Sequence, residues 1–347
     1  MKKKKAKSIS QKAVIKTALS LLSAFILLCS AWIHKSPTPL APSLGESAKF
    51  FSNQTGDNLE LAYTSAIRKA KDSVILMIFS MTHPSVLQAL REKSEEGVYV
   101  KVICDAKSCP HIIQKLGPKV DVVRRFGKGL MHLKILTIDG QECWIGSSNL
   151  TSESLLMHSN LVVAFQDASF TATMVNKALS LREYDKESEF SHQTFAIGGQ
   201  TIGLSFLPDD KEGSLRIKEL IRSAKKTIKI AMYTWTRYDM VKELIRAQKK
   251  GVQVEVVLDR NQAKGTSSKI LELLQKEGIH TQLSTGTGLL HHKFMWIDDQ
   301  VLEIGSANWT KAAFTQNDDC FLVIQPLNAD QNDHLEKLWI AIKQNSK

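Results

Sequence analysis

The sequence predicts an α/β fold built from two similar domains, each with a mixed β-sheet flanked by helices. The first observation behind this prediction is a repeat, whose equivalent residues lie 154 positions apart: Ala70 and Ala224, Gly97 and Gly251, Asp105 and Asp259. The second is that each copy alternates apolar runs of strand length with stretches of helical periodicity. So long a period indicates a duplicated domain, since solenoid repeats span about 20–50 residues.

Each half presents its elements in the order β, α, β, α, β. The first strand covers residues 74–80 in one copy and 228–234 in the other, and the helix that follows ends at Gly97 or Gly251. A second apolar strand ends at the repeated aspartate, and further signals lead to two more strands. The short connections favour right-handed crossovers within each half.

The positive charge of the chain is concentrated at its beginning. The 347 residues carry a formal net charge of +11, and residues 1–45 contain eight lysines and no acidic residue. The rest of the chain therefore carries only +3 (11 minus 8), which does not by itself favour a nucleic-acid-binding body. The composition, 43% hydrophobic and 23% charged, excludes a chain that is disordered along its whole length.

Residues 1–45 form a basic leader with the pattern of a signal peptide or a retained signal anchor. An uncharged, mostly apolar run covers residues 18–33, and a proline-rich spacer follows it. The run is slightly short for a membrane span of about 20 residues, and cleavage after Ala31 is the alternative. We favour the anchor, which would keep the lysines in the cytoplasm and export the body. The two domains would cover residues 46–190 and 195–347.

The cysteines do not indicate a metal site. None of the five has paired CxxC spacing or clusters with histidines, so a zinc site is not predicted: Cys29, Cys104, Cys109, Cys143 and Cys320. Cys104 and Cys109 would form a disulfide after export, or both would be buried free thiols. The sequence leaves these two alternatives open.

One pattern of six residues occurs twice with identical internal spacing. The first copy consists of His132, Lys134, Asp139, Gly146, Ser147 and Asn149. The second consists of His291, Lys293, Asp298, Gly305, Ser306 and Asn308. Between the repeated aspartate and the histidine lie 26 residues in the first half and 31 in the second. We expect the five extra residues within residues 265–268 and 284–288, in a loop at the rim of the site.

The residue types in this pattern favour a phosphate site over a purely structural duplication. Positions two apart in a strand share a face, so His132 and Lys134 are expected to point the same way, as are His291 and Lys293. A cationic lysine in so apolar a strand is costly unless an anion meets it, and a phosphate supplies both charge and acceptors.

Both blocks resemble the HxK(x)4D(x)6GSxN signature of the phospholipase D superfamily, and the similarity covers about residues 58–345. The resemblance implies that the two halves meet about a pseudo-twofold axis and place both histidines in one cleft, without a metal or another cofactor. One of His132 and His291 would attack phosphorus to form a phosphohistidine, and the other would protonate the leaving oxygen. The sequence leaves open which histidine takes which part.

The resemblance also implies roles for the other motif residues. The lysines and asparagines would bind the non-bridging phosphate oxygens, with Ser147 and Ser306 helping at the rim. Asp139 and Asp298 belong to the catalytic motif, but strand alternation places them on the face opposite the lysines, so we expect a supporting role.

The two halves differ at one further position. Members of the superfamily often place a carboxylate eleven residues beyond the motif asparagine, where it orients a catalytic histidine. Asp319 occupies this position after Asn308, whereas Asn160 occupies it after Asn149. We therefore expect one histidine to lack an anionic partner and the two halves to be functionally asymmetric.

The sequence predicts a phospholipase D-type phosphodiesterase that hydrolyses phospholipid head groups. The leader favours a lipid substrate, and so do apolar residues just before each histidine: Leu130, Met131, Leu289 and Leu290. The alternatives are a metal-independent endonuclease, suggested by a likeness to the compact nucleases of the superfamily, and a membrane-tethered phosphate-binding protein without turnover. We expect a monomer, because both motifs lie in one chain.

Overall fold

Two mixed β-sheets form the framework of the protein in the computed structural model, which describes residues 40–347. The strands of the first sheet are β1 (Lys49–Phe51), β2 (Ser73–Ile78), β3 (Tyr99–Asp105), β4 (Asp121–Arg125), β5 (Lys134–Ile138), β6 (Glu142–Gly146) and β7 (Val162–Gln166). They lie in the order β1-β7-β6-β5-β2-β3-β4. Strands β2, β3 and β4 run parallel to one another, and the other neighbours pair antiparallel.

The second sheet repeats this arrangement. Its strands are β8 (Gln193–Ile197), β9 (Gln200–Leu207), β10 (Thr227–Met232), β11 (Gln253–Leu258), β12 (His280–Leu283), β13 (Lys293–Ile297), β14 (Val301–Gly305) and β15 (Asp319–Gln325). They lie in the order β12-β11-β10-β13-β14-β15-β9-β8, with β10, β11 and β12 parallel. Strands β10, β11, β12, β13, β14 and β15 are therefore the counterparts of β2 to β7.

Helices connect the strands and cover the sheets. In the first half, the described residues contain α1 (Leu59–Arg68), α2 (Pro84–Glu95), α3 (Ile112–Leu116), α4 (Ser152–Leu156) and α5 (Ala168–Ser180). In the second half they contain α6 (Gly213–Ser223), α7 (Tyr238–Lys249), α8 (Arg260–Lys264), α9 (Ser268–Lys276), α10 (Lys311–Thr315) and α11 (Ala329–Gln344). The predicted fold class, α/β with two mixed sheets flanked by helices, is confirmed. The exact domain boundaries stay a prediction.

The five extra residues of the second half lie in the first of the two regions that the sequence suggested. Strand pairing places β4 opposite β3 and β12 opposite β11 in the same register, so that Asp121 and His280 are equivalent. The distance between equivalent residues of the two halves has therefore already grown from 154 to 159 positions where β4 and β12 begin. The insertion lies between β11 and β12, where α8 and α9, with residues 265–267 between them, replace the single helix α3. The expectation that residues 284–288 hold part of the insertion is wrong.

Three apolar clusters hold residues 40–347 together. One contains residues of both sheets, such as Met77 and Ile135 from the first and Phe294 and Ile304 from the second. The other two lie within the first and the second half, where they join sheet and helix residues. Each buried side chain of this size contributes about 1.5–3 kcal/mol. The shared cluster fixes one sheet against the other, and with them the beginnings of β5 and β13.

The leader prediction falls almost entirely on residues 1–39, which lie outside the described residues, as does Cys29. Among residues 40–347, no helix combines the length and apolar character that a membrane crossing requires. Cys104 and Cys109 are free, buried thiols, as are Cys143 and Cys320. Of the two alternatives for Cys104 and Cys109, the structure therefore has the free thiols.

Candidate active site

Each histidine of the repeated motif is held by the backbone of the opposite half. The amide nitrogen of His132 donates to the carbonyl oxygen of Asp318 at 2.8 Å, and that of His291 donates to the carbonyl oxygen of Ser159 at 3.0 Å. Asp318 and Ser159 are equivalent positions, so the contact is reciprocal. Strands β5 and β13 begin only at the lysines, two residues later than the histidines. This places both histidines where the two halves meet.

The histidine rings are oriented by side chains of opposite halves, and these side chains differ in charge. Nδ1 of His132 lies 2.8 Å from Oδ1 of Asp319, and Nδ1 of His291 lies 3.0 Å from Oδ1 of Asn160. Each Nδ1 donates, because a carboxylate and an amide oxygen can only accept. Each Nε2 then keeps its lone pair and has no hydrogen-bond partner among residues 40–347. Both rings are therefore prepared to accept a proton or to attack an electrophile.

The motif lysines lie in the same cluster. Nζ of Lys134 donates to the carbonyl oxygen of His132 at 2.6 Å, and Nζ of Lys293 donates to that of His291 at 2.7 Å. Both side chains are buried, and in the described part of the chain neither ammonium group has another acceptor. Burial lowers the pKa of Lys134 to about 7 and, together with the charge of Lys134, that of Lys293 well below its usual value. A bound anion would relieve this cost.

The electrostatic environments of the two histidines are unequal. Burial lowers the pKa of His132, and the charge of Asp319 opposes this shift. Burial and then the charges of Lys293 and Lys134 lower the pKa of His291 well below its usual value. Asn160 carries no charge to oppose them. The predicted asymmetry thus has a definite direction, since only His132 has an anionic partner.

The asparagines at the end of each motif lie beside the lysines. Strand β6 runs antiparallel to β5, so its end at Gly146 lies next to the beginning of β5, and Gly305 lies in the same way beside β13. A side chain at either glycine would collide with the neighbouring strand, at the carbonyl oxygens of Leu161 and Cys320. Asn149 and Asn308 follow these glycines, partly exposed and with side-chain NH2 groups unpaired among the described residues. This placement fits the predicted phosphate contacts.

The predicted phosphate contacts of Ser147 and Ser306 are wrong in this structure. Both serines are buried, and their hydroxyls donate to Oδ1 of Asn160 at 2.9 Å and of Asp319 at 2.7 Å. Each hydroxyl also accepts a backbone N–H from the adjacent strand. With donor and acceptor both engaged, the serines support the side chains that orient the histidines.

Asp139 and Asp298 lie outside the cluster of histidines and lysines. Their inclusion among the catalytic candidates is therefore wrong, and the expected supporting role remains. Each residue follows the far end of its strand, in the turn to the next one, with a positive φ. The Asp139 carboxylate accepts the backbone N–H groups of residues 71–73 and that of Asp298 accepts those of residues 225–227. Their role is to fix the start of β2 and β10.

Sequence reasoning missed two further pairs of residues at the site. The rings of Phe79 and Tyr233 contact the histidine rings edge-on, with centroids 5.2 and 4.9 Å apart, and the lysine Nζ atoms lie 5.3 and 5.0 Å from the same centroids. Asp105 and Asp259 accept the backbone N–H of the residue before each histidine. Their recurrence 154 positions apart was the available signal.

Comparison with known proteins agrees with this geometry. The family described as "Cardiolipin synthase, PLD-like domain" matches residues 63–181 and 217–339, which is more than half of the chain. A mitochondrial cardiolipin hydrolase from Chlamydomonas reinhardtii is 32% identical over 130 residues, covering 37% of this chain and 58% of that protein. A phospholipase D from Rickettsia bellii is 32% identical over 127 residues, covering 37% and 62%. The alignments thus span about three fifths of these curated relatives.

One solved structure resembles the protein over most of its length. Phosphatidylserine synthase from Haemophilus influenzae superposes with a TM-score of 0.67 and covers 89% of this chain and 88% of its own. At 15% sequence identity, this likeness concerns the fold alone. Taken with the family match to both halves and the two motifs that meet at one site, it leads to one conclusion: the chain belongs to the phospholipase D superfamily.

Proposed function

We propose that the protein is a phospholipase D-type phosphodiesterase that hydrolyses phospholipid head groups through a phosphohistidine intermediate. The observation that carries this proposal is the pair of buried histidines whose Nε2 atoms have no partner among residues 40–347, in one cluster with two buried lysines. The reciprocal backbone contacts of His132 with Asp318 and of His291 with Ser159 bring the two His-Lys pairs to the place where the two halves meet. A phosphodiester there would receive an attacking nitrogen, a proton donor and two cations.

In the first step, Nε2 of His132 attacks phosphorus while the bond from phosphorus to the head-group oxygen breaks. The leaving oxygen takes a proton from Nε2 of His291, which gains that proton when the substrate's negative charge raises its pKa. We assign the attack to His132 because phosphorylation at Nε2 leaves a cationic ring with its proton on Nδ1. The adjacent Asp319 carboxylate stabilises that cation, whereas Asn160 has no charge to do so.

In the second step, water replaces the head group. Nε2 of His291, now neutral, accepts a proton from water, the water oxygen bonds to phosphorus, and the bond between phosphorus and His132 breaks. His132 returns to its neutral state and His291 to its protonated state. Lys134, Lys293, Asn149 and Asn308 stabilise the charge on the non-bridging oxygens in both steps.

A lipid substrate is favoured by the names of the relatives, a cardiolipin hydrolase and a phospholipase D. We also propose that residues 1–45 hold the protein at a membrane and that it acts as a monomer. The second candidate function is a metal-independent endonuclease. It is favoured by a cavity of about 580 Å³ beside Asn308, whose wall includes Lys107 and Lys128 and would suit a further phosphate.

The test is an assay in the presence of a chelator with phosphatidylcholine, cardiolipin and single-stranded DNA as substrates. We expect head-group release from lipid, no DNA cleavage, and transfer of the phosphatidyl group to an added primary alcohol. His132→Ala and His291→Ala variants serve as controls for contaminating activity. DNA cleavage without lipid cleavage would replace the lipid proposal with the nuclease. Tight phosphate binding without cleavage of any diester would indicate a binding protein.

A further inference from the structure

Four exposed apolar side chains, here called the rim, lie in the segments next to the two histidines. Phe126 and Leu130 precede His132 and are 40% and 41% exposed. Leu156 is the last residue of α4 and Met157 follows it, and they are 58% and 56% exposed. Single exposed apolar side chains are ordinary on protein surfaces, but a group of them at the entrance of a site marks an interaction surface.

Backbone contacts attach both parts of the rim to the catalytic cluster. The amide of Leu130 donates to Oδ1 of Asn317 at 3.0 Å, and its carbonyl oxygen accepts the amide of Asp318 at 2.9 Å, next to Asp319. On the other side, the backbone of Met157 lies against Gly288, three residues before His291. The rim therefore flanks the cluster on the His132 side and on the His291 side.

Positive charge accompanies the apolar side chains on one side. The cavity of about 580 Å³ beside Phe126 and Leu130 is also lined by Lys107 and Lys128, which are exposed and form no ion pair with residues 40–347. The corresponding cavity beside Met157 measures about 230 Å³, and no charged residue lines it. Thr287 stands there at the position equivalent to Lys128.

We infer that the rim docks onto the surface of an anionic lipid bilayer, so that a phospholipid head group enters the cleft directly from the membrane. Apolar side chains inserted among head groups, with lysines at head-group level, bind proteins to anionic membranes. A single nucleic-acid strand would instead need flat side chains on which bases stack. Leu130, Leu156 and Met157 provide none. The exposed stacked pair Phe126 and Tyr184 lies on the His132 side alone, so most of the rim suits lipid. The inference rests on the proposed lipid substrate.

The experiment compares two substrates for each variant of the full chain. One substrate is phospholipid in vesicles of phosphatidylcholine with or without cardiolipin, and the other is a soluble diester, bis-p-nitrophenyl phosphate. The test variant is Leu156→Ser with Met157→Ser, which leaves every residue of the catalytic cluster in place. The control is Tyr99→Ser. Tyr99 is also an exposed apolar side chain (47%), and it begins β3 at the opposite end of that strand from Asp105.

We expect the double variant to lose about tenfold or more of its activity on vesicles and to keep its rate on the soluble diester within about twofold. Tyr99→Ser should change neither rate. Lys128→Thr, which copies Thr287, should reduce the preference for vesicles that contain cardiolipin. Equal vesicle rates for wild type and double variant would overturn the docking inference. Cleavage of the soluble diester but of no vesicle lipid by the wild type would overturn the lipid substrate itself.

Discussion

The two halves of the molecule build one site from equivalent positions, yet they give their histidines different partners. His132 of the first half binds Asp319 of the second, and His291 of the second binds Asn160 of the first. A serine hydroxyl supports each partner in the same way. Both histidines thus have the same hydrogen-bond geometry, but only the partner of His132 is charged. A single side chain can set the pKa values of two equivalent histidines apart without changing the fold around them.

A second difference lies next to the first. Arg125 forms a buried ion pair with Asp318, beside Asp319, and also donates to two backbone carbonyls of the segment after α5. Ser284 and Ser159 occupy the equivalent positions in the other half. The His132 side of the site, where Asp319 is the anionic partner, is therefore also the side on which a buried ion pair joins the two halves of the chain.

The Asp319→Asn variant makes the partners of both histidines neutral, and we expect it to have the largest effect on activity. We expect kcat to fall by about 10²-fold or more, because the cationic phosphorylated ring of His132 loses its carboxylate. Steady-state kinetics on phospholipid would measure this, with a circular dichroism spectrum to confirm the fold. A loss below about threefold would show that the charge of Asp319 does not contribute to the reaction.

The Arg125→Ser variant tests the buried ion pair. Removing one partner leaves Asp318 charged and unpaired, which should lower the free energy of unfolding by about 3–5 kcal/mol in a urea titration. The double variant Arg125→Ser with Asp318→Ser copies the serine pair of the other half. Its free energy of unfolding should fall clearly less than that of the single variant. An equal or larger fall would contradict this account of the ion pair.

The Asn160→Asp variant makes both partners anionic and should raise the pKa of His291. In our assignment His291 must be protonated to act, so the reaction slows as pH rises through its pKa. The alkaline limb of the profile of kcat/KM against pH should therefore move to higher pH by about one unit. Movement of the acidic limb instead would mean that His291 acts in its neutral form, as a nucleophile does.

The Tyr233→Phe variant copies Phe79 and should have the smallest effect. The ring keeps its contacts with His291 and Lys293, and only the hydrogen bond from Gln262 is lost. We expect kcat to change by no more than about tenfold, since such a hydrogen bond contributes about 0.5–1.5 kcal/mol and about 1.4 kcal/mol corresponds to a factor of ten. A much larger loss would indicate that the hydroxyl contacts the substrate and that the two aromatic positions are not interchangeable.

The fold class and the candidate site could be predicted from the sequence because both depend on short-range patterns. Alternating apolar runs indicate strands, and the spacing from His132 to Lys134 is fixed within a few residues of chain. The pairing of His132 with Asp319 joins residues 187 positions apart, so only the folded chain shows which histidine receives the carboxylate. Ser147 was misjudged for the same reason, because its partner Asn160 becomes its neighbour only when β6 and β7 pair.

The position of the extra five residues was only partly predicted, because the lengths of two segments were read as one. The sequence gives only the sum of residues between the repeated aspartate and the histidine, and the pairing of β12 with β11 divides that sum. Strands β1 and β9 occupy equivalent places beside β7 and β15, whereas β8 has no counterpart in the first sheet. A repeat cannot predict elements that occur in only one copy.

The most direct test of the central claim, that the two histidines have different tasks, is to locate the phosphohistidine. A His291→Asn variant, reacted with a diester whose leaving group needs no proton, should accumulate the intermediate because the water-activating base is missing. Rapid quenching at alkaline pH and mass spectrometry of the peptides should then find the phosphoryl group on His132. Modification of His291 in the matched His132→Asn variant, and none on His132 in the first, would contradict the assignment.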